Sequence, residues 1–131
     1  MATTPAFAST PRTGSIIASA TFDASLTAPT NVGIIITGVA AGTKIEEVVM
    51  QALGTTVAGV INLFLFDATT YHLYDQFLVP AWTSSTTAKA WRASRAYPTL
   101  ILPTASWSLR FTVTVAGLQS LIKGTATGGD L

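Results

Sequence analysis

Residues 54–79, GTTVAGVINLFLFDATTYHLYDQFLV, decide the fold class. From Val57 to Phe66 nearly every position is apolar on both parities: Val57, Ile61, Leu63 and Leu65 on one face, Ala58, Val60, Phe64 and Phe66 on the other. A strand apolar on both faces is covered on both sides, by a second sheet or by another subunit. Asp67-Ala68-Thr69-Thr70 then interrupts the run with side chains that bond their own backbone in turns. The chain returns through Tyr71, Leu73, Phe77 and Val79, with His72, Tyr74 and Gln76 on the alternate face. The block predicts two antiparallel strands joined by a short polar turn.

Working outward, the cleanest alternation lies at residues 106–115. Trp107, Leu109, Phe111, Val113 and Val115 point one way and Ser108, Arg110, Thr112 and Thr114 the other, as in a sheet with one wet face. Residues 15–22, 32–37, 88–97 and 100–102 read as further strands, the last bracketed by Pro98 and Pro103, and residues 119–123 as a final edge strand. Residues 43–53, TKIEEVVMQAL, are ambiguous. Ile45, Val48, Val49, Ala52 and Leu53 fit a helical face, with a capping-box pattern at Thr43 and Glu46 and Gly54 at the helix end. The same residues also fit a strand with a bulge at Glu46-Glu47, which turns Ile45, then Val48, Met50 and Ala52, inward.

About eight short strands with turn signals between them predict an all-β, antiparallel sandwich of jelly-roll type. Residues 15–124 form its single domain. Residues 1–14, rich in Thr, Pro and Ala, read as an extended N-terminal arm, either a disordered tail or an arm ordered on a neighbouring subunit by Phe7. Residues 125–131 read as a soft C-terminal tail.

Of 131 residues only 10% are charged, against about 25% in ordinary soluble domains. The net charge of +1 supplies no field for nucleic acid or anionic lipid. A solitary small domain needs a charged surface to stay dissolved, so this composition predicts that much of the exterior is covered in an assembly. The chain has no cysteine, which excludes disulfides and thiolate metal sites. Its N-terminus lacks the basic and apolar regions of a signal peptide, and no apolar run approaches the roughly 20 residues of a membrane span.

The residues offer little for chemistry. His72, the single histidine, pairs on paper with Asp67 or Asp75 and with Ser84 or Ser85, but no nucleophile-elbow motif accompanies it. Residues 38–44, GVAAGTK, lack the spacing of a phosphate loop and read as a turn. No metal or cofactor site is expected, and no enzyme. Arg92, Arg95 and Arg110, near Trp91, Tyr97 and Trp107, suggest cation–π packing rather than nucleic-acid stacking. Phe7, Phe64, Phe66, Tyr71, Tyr74, Trp82 and Trp91 are the expected interface anchors, with core filling an equal alternative for Trp91. A carbohydrate-binding surface made of Trp82, Trp91 and Tyr97 is a lesser expectation.

The motif Ala-Gly-Thr-basic-Ile at residues 41–45 precedes Gly-Thr-Thr and an apolar Leu-Phe-Leu strand, then a Tyr-x-Leu return, Val79-Pro80-Ala81, and Leu-Pro ahead of Trp-Ser-Leu-Arg. Over about residues 41–115 this resembles small structural proteins of tailed bacteriophages and prophages. The resemblance favours strand over helix at residues 43–53. It implies a virion component assembled in the bacterial host cytoplasm: a capsid decoration (cement) protein, often trimeric, binding the major capsid protein, or a neck, tail or baseplate protein. The Asp67-Ala68-Thr69-Thr70 turn departs from the pattern by lacking an expected glycine.

Overall fold

The computed structural model describes residues 10–131. Eight strands follow one another: β1 (Thr10–Ile17), β2 (Gly33–Thr37), β3 (Thr43–Ala52), β4 (Gly59–Phe66), β5 (Tyr71–Val79), β6 (Arg92–Leu102), β7 (Ser108–Val113) and β8 (Ile122–Asp130). They form two four-stranded sheets, ordered β1-β8-β3-β6 and β2-β7-β4-β5, with every pairing antiparallel. Strand one therefore pairs with eight, two with seven, three with six and four with five. That is a long hairpin rolled on itself, the jelly-roll form of the β-sandwich. Ile45, Val48, Met50, Leu102 and Ile122 from the first sheet meet Ile61, Leu63, Phe77, Leu109 and Phe111 from the second, and all are buried.

Residues 43–52 are strand, and the register with both neighbours slips between Ile45 and Glu47. The bulge at Glu46 keeps Ile45, Val48, Met50 and Ala52 inside and leaves both Glu46 and Glu47 exposed. A helical period and a bulged strand place the same apolar residues inward here, and two flanking strands supply the backbone partners that settle it.

Three boundaries differ from expectation. β1 begins at Thr10, so residues 10–14 are strand; residues 1–9, with Phe7, lie outside the described residues. β6 runs unbroken through Pro98, which an edge strand tolerates because one side of it makes no ladder bonds. Most consequential is β8: the glycine-rich segment expected as a tail is an interior strand between β1 and β3. Its glycines are there for proximity. A Cβ on Gly124 would stand 2.9 Å from the Phe111 ring of the facing sheet, and one on Gly128 would collide with the Lys44 carbonyl beside the bulge.

Candidate functional site

The outward face of the second sheet collects part of the expected anchor set. Phe64 and Phe66 of β4 lie across from Leu73 and Tyr71 of β5 and from Arg110 and Ser108 of β7. Tyr71 packs on both phenylalanines, at 5.7 and 4.3 Å between ring centroids. The Arg110 guanidinium lies 4.2 Å above the Phe66 ring, donates to the Tyr71 hydroxyl (3.0 Å) and sends Nε to Ser108 Oγ (2.8 Å). Planar and weakly hydrated, it covers the aromatic pair while keeping its donors bonded. Phe64 is thereby enclosed within the chain and has no free surface to offer a partner.

This face is drier than the alternation of β7 predicts. Ser108, Thr112 and Asn62 are all buried on it. Asn62 accepts a bond from Gln76 (2.8 Å), but its Nδ2 and the Thr112 hydroxyl opposite have no partner among the described residues.

At the β5 edge large apolar side chains reach the surface alongside the exposed His72 and Gln76. Leu78 is 78% exposed, and Leu73 and Tyr74 are exposed beside it. Tyr74 is the extra residue of a second bulge, where the β4–β5 register shifts between Leu63 and Phe64, and it meets Tyr97 edge-on at 5.5 Å. Across the open side of the sandwich, β5 is tied to β6 by one carboxylate. Asp75 Oδ2 accepts from Arg95 (2.7 Å) and from the Tyr97 hydroxyl (2.7 Å). Partial burial pushes the Asp75 carboxyl up, but these two bonds and the Gln76 N–H outweigh it and hold the group below the usual range. Burial and the same carboxylate push the Tyr97 hydroxyl well above its ordinary value. Arg95 also stacks on Phe77 at 4.4 Å. Of the three arginines expected in cation–π packing, Arg95 and Arg110 make it, with phenylalanines and Tyr71 as the rings.

His72 reaches Asp67 (3.1 Å) and stacks on Trp107 at 6.0 Å. Asp67 also takes the backbone N–H groups of Thr70 and Thr69 (2.7 and 2.9 Å), and these bonds, with the one from His72, lower its carboxyl to about 2. Ser84 and Ser85 make their hydrogen bonds within the 80s loop and to Thr55, none to His72. No serine nucleophile is assembled there. Residues 38–42 form a turn closed by Gly42 N–H on Val39 O, and Thr43 and Lys44 already belong to β3. Among the described residues no group of three or more His, Cys, Asp or Glu converges, and no helix is long and apolar enough to cross a membrane.

The two remaining anchors sit elsewhere, where β6 begins. Trp82 is bonded through both backbone groups to Thr56 (2.8 and 3.1 Å), and its indole N–H donates to Lys89 O (2.9 Å). Trp91 is buried and packs in the core, the core-filling alternative, and its carbonyl accepts from Ala52 N and Gln51 Nε2. A cavity of about 450 Å3 lies between them, lined also by Gln51, Lys89, Arg92 and Ser94. Tyr97 is engaged with Asp75 and is not part of it. Sequence reasoning found the two tryptophans and noted Arg92 near Trp91, but missed Gln51 and Lys89. The pairing of Gln51 with Arg92 across strands depends on the β3 bulge and leaves no local signal.

No protein-family model matches the chain, and no curated protein matches it. Among solved structures it is similar to one of infectious bursal disease virus, Gt strain, at 14% identity and a TM-score of 0.31. That match covers 99% of this chain and 36% of the viral one.

Proposed function

We propose that this chain is a structural protein of a virion, a capsid decoration (cement) protein of the tailed-phage kind. It binds the outside of the head shell as a small homo-oligomer, a trimer, and contacts the major capsid protein. The observation that carries this is the β5 edge of the second sheet: a nine-residue strand, unpaired on one side among the described residues, displaying Leu73, Tyr74 and Leu78 to solvent. An exposed apolar edge strand is a template for pairing unless another chain covers it. The ionisable groups near it are engaged with one another, Asp75 with Arg95 and Asp67 with His72. The jelly-roll order is one that viral capsid domains use, and the resemblance over residues 41–115 points to the same setting.

Such contacts hold by burying uncharged surface, at about 25 cal/mol per Å2 before ordering costs. They are therefore insensitive to ionic strength. Particles of the phage or prophage that encodes the chain should keep it through sedimentation in roughly 1 M salt, where exposed ion pairs are screened. Release of every copy by salt without denaturant would sink the proposal. Counting copies per purified particle tests the location: hundreds fit a shell protein, whereas a dozen or fewer would move it to the neck, tail or baseplate.

A further inference from the structure

We propose that the cavity between Trp82 and Trp91 is a binding site for an acidic saccharide, one bearing a carboxylate on a sugar ring. The inference is independent of the virion reading.

The distribution of charge is the first observation. Of the seven basic side chains, Arg12, Lys44 and Arg95 pair with Asp130, Glu46 and Asp75, and Arg110 is spread over Phe66. The other three, Lys89, Arg92 and Lys123, make no ion pair among the described residues. Two of the three meet at one cavity. Lys89 and Arg92 line the cavity, and Gln51 in its wall is flanked across the sheet by Arg92 on one side and Lys123 on the other. None of the six acidic residues lines it. In a chain this poor in charge, leaving its unpaired cations together around a concavity favours an anion there.

The second observation is the aromatic wall. Trp82 is 42% exposed yet fixed by three hydrogen bonds, so it offers a large apolar surface with little ordering left to lose on binding. The axial C–H face of a pyranose packs on such a ring. A guanidinium and an ammonium beside it suit a ring carboxylate, Arg92 through paired N–H donors and Lys89 as a point charge. The Ser94 hydroxyl and the Gln51 amide oxygen add groups for sugar hydroxyls, the Gln51 amino group being held by the Ala52 and Trp91 carbonyls. A cavity of about 450 Å3 holds a small ligand of one or two rings. Nucleic acid fits less well, because no basic track continues beyond the cavity.

Titration calorimetry on the intact protein tests this with sialyllactose and a glucuronate-containing tetrasaccharide, and with lactose as the neutral control. At least one acidic sugar should bind about tenfold more tightly than lactose, and binding should weaken as salt is raised. Trp82→Ala and the double variant Lys89→Glu/Arg92→Glu should each reduce affinity at least about tenfold, with the melting transition of the double variant unchanged. Because both charge reversals lie at the surface, the test survives even if Trp82→Ala does not fold. The proposal is overturned if neither acidic sugar binds by about 10 mM, if lactose binds equally well, or if the double variant binds like the parent. Tighter binding of adenosine monophosphate or an acidic peptide than of either sugar overturns it as well.

Discussion

Asp75 shows how a single side chain serves the sandwich at its open side. Its carboxylate takes bonds from Arg95 and Tyr97 of β6 while its own strand belongs to the other sheet. The folded state binds the Asp75 proton less tightly than the unfolded chain does. The stabilisation is therefore complete above the unfolded value of 3.8 and is lost as pH falls through the lower folded value. Asp75→Asn should cost about 1–2 kcal/mol near neutral pH, since partly exposed charged bonds contribute modestly. Urea unfolding between about pH 2 and 6 should show a shallower rise of stability with pH in the variant than in the parent. Equal slopes would remove Asp75 from this role. The sequence places Asp75 beside candidate chemistry at His72; the partner it actually holds is 20 residues away and visible only once β5 and β6 face each other.

At the scale of the element, the two turns and bulges around β4 and β8 are informative. Ala68, in the turn where a glycine is missing, has φ of +81°. Asp67 holds this turn by accepting the N–H groups of Thr69 and Thr70. Left-handed backbone strains a residue with a Cβ, so Ala68→Gly should stabilise the protein by about 0.5–1 kcal/mol despite the freer unfolded chain. Differential scanning calorimetry measures it, and a fall in melting temperature would mean the strain is absorbed elsewhere. In β8 the opposite substitution is costly. Gly128→Ala drives a Cβ into the Lys44 carbonyl, and backbone cannot move aside as a side-chain tip can. A loss of about 2–4 kcal/mol is expected, within the range of severe overpacking, read as a lowered urea midpoint. The strand β4 was legible as buried on both faces because nearly every position is apolar, Asn62 being the exception. β8 was not, since a strand chosen for close approach carries small residues that resemble a tail.

For the whole molecule the question is what covers the exterior. Exposed Leu78 of β5 and Ile101 of β6 sit on the two edge strands of one side, and Ile34 on an edge strand of the other. Leu78→Lys should leave the melting of the isolated chain within about 0.5 kcal/mol of the parent, because the side chain touches little of its own fold. The same change should shift the mass in multi-angle light scattering from oligomer toward monomer. A parent that is already monomeric at high concentration would count against self-association through β5.

Composition and alternation alone determined that this chain folds as an antiparallel all-β sandwich, because period-two burial and turn chemistry are local and written residue by residue. They also marked Phe66, Tyr71, Trp82 and Trp91 as residues of note, since large aromatics are conspicuous in a chain with so few charges. Only the tertiary structure decided that β8 is an interior strand, and it bore out β3 as the bulged strand that the resemblance favoured over a helix. It also decided that Phe64 is sealed beneath Arg110's neighbours, and that Lys89, Arg92 and Gln51 gather around the tryptophans. Those outcomes depend on which strand lies beside which. Pairing between residues dozens of positions apart is set by the packing of the two sheets, not by any stretch read alone.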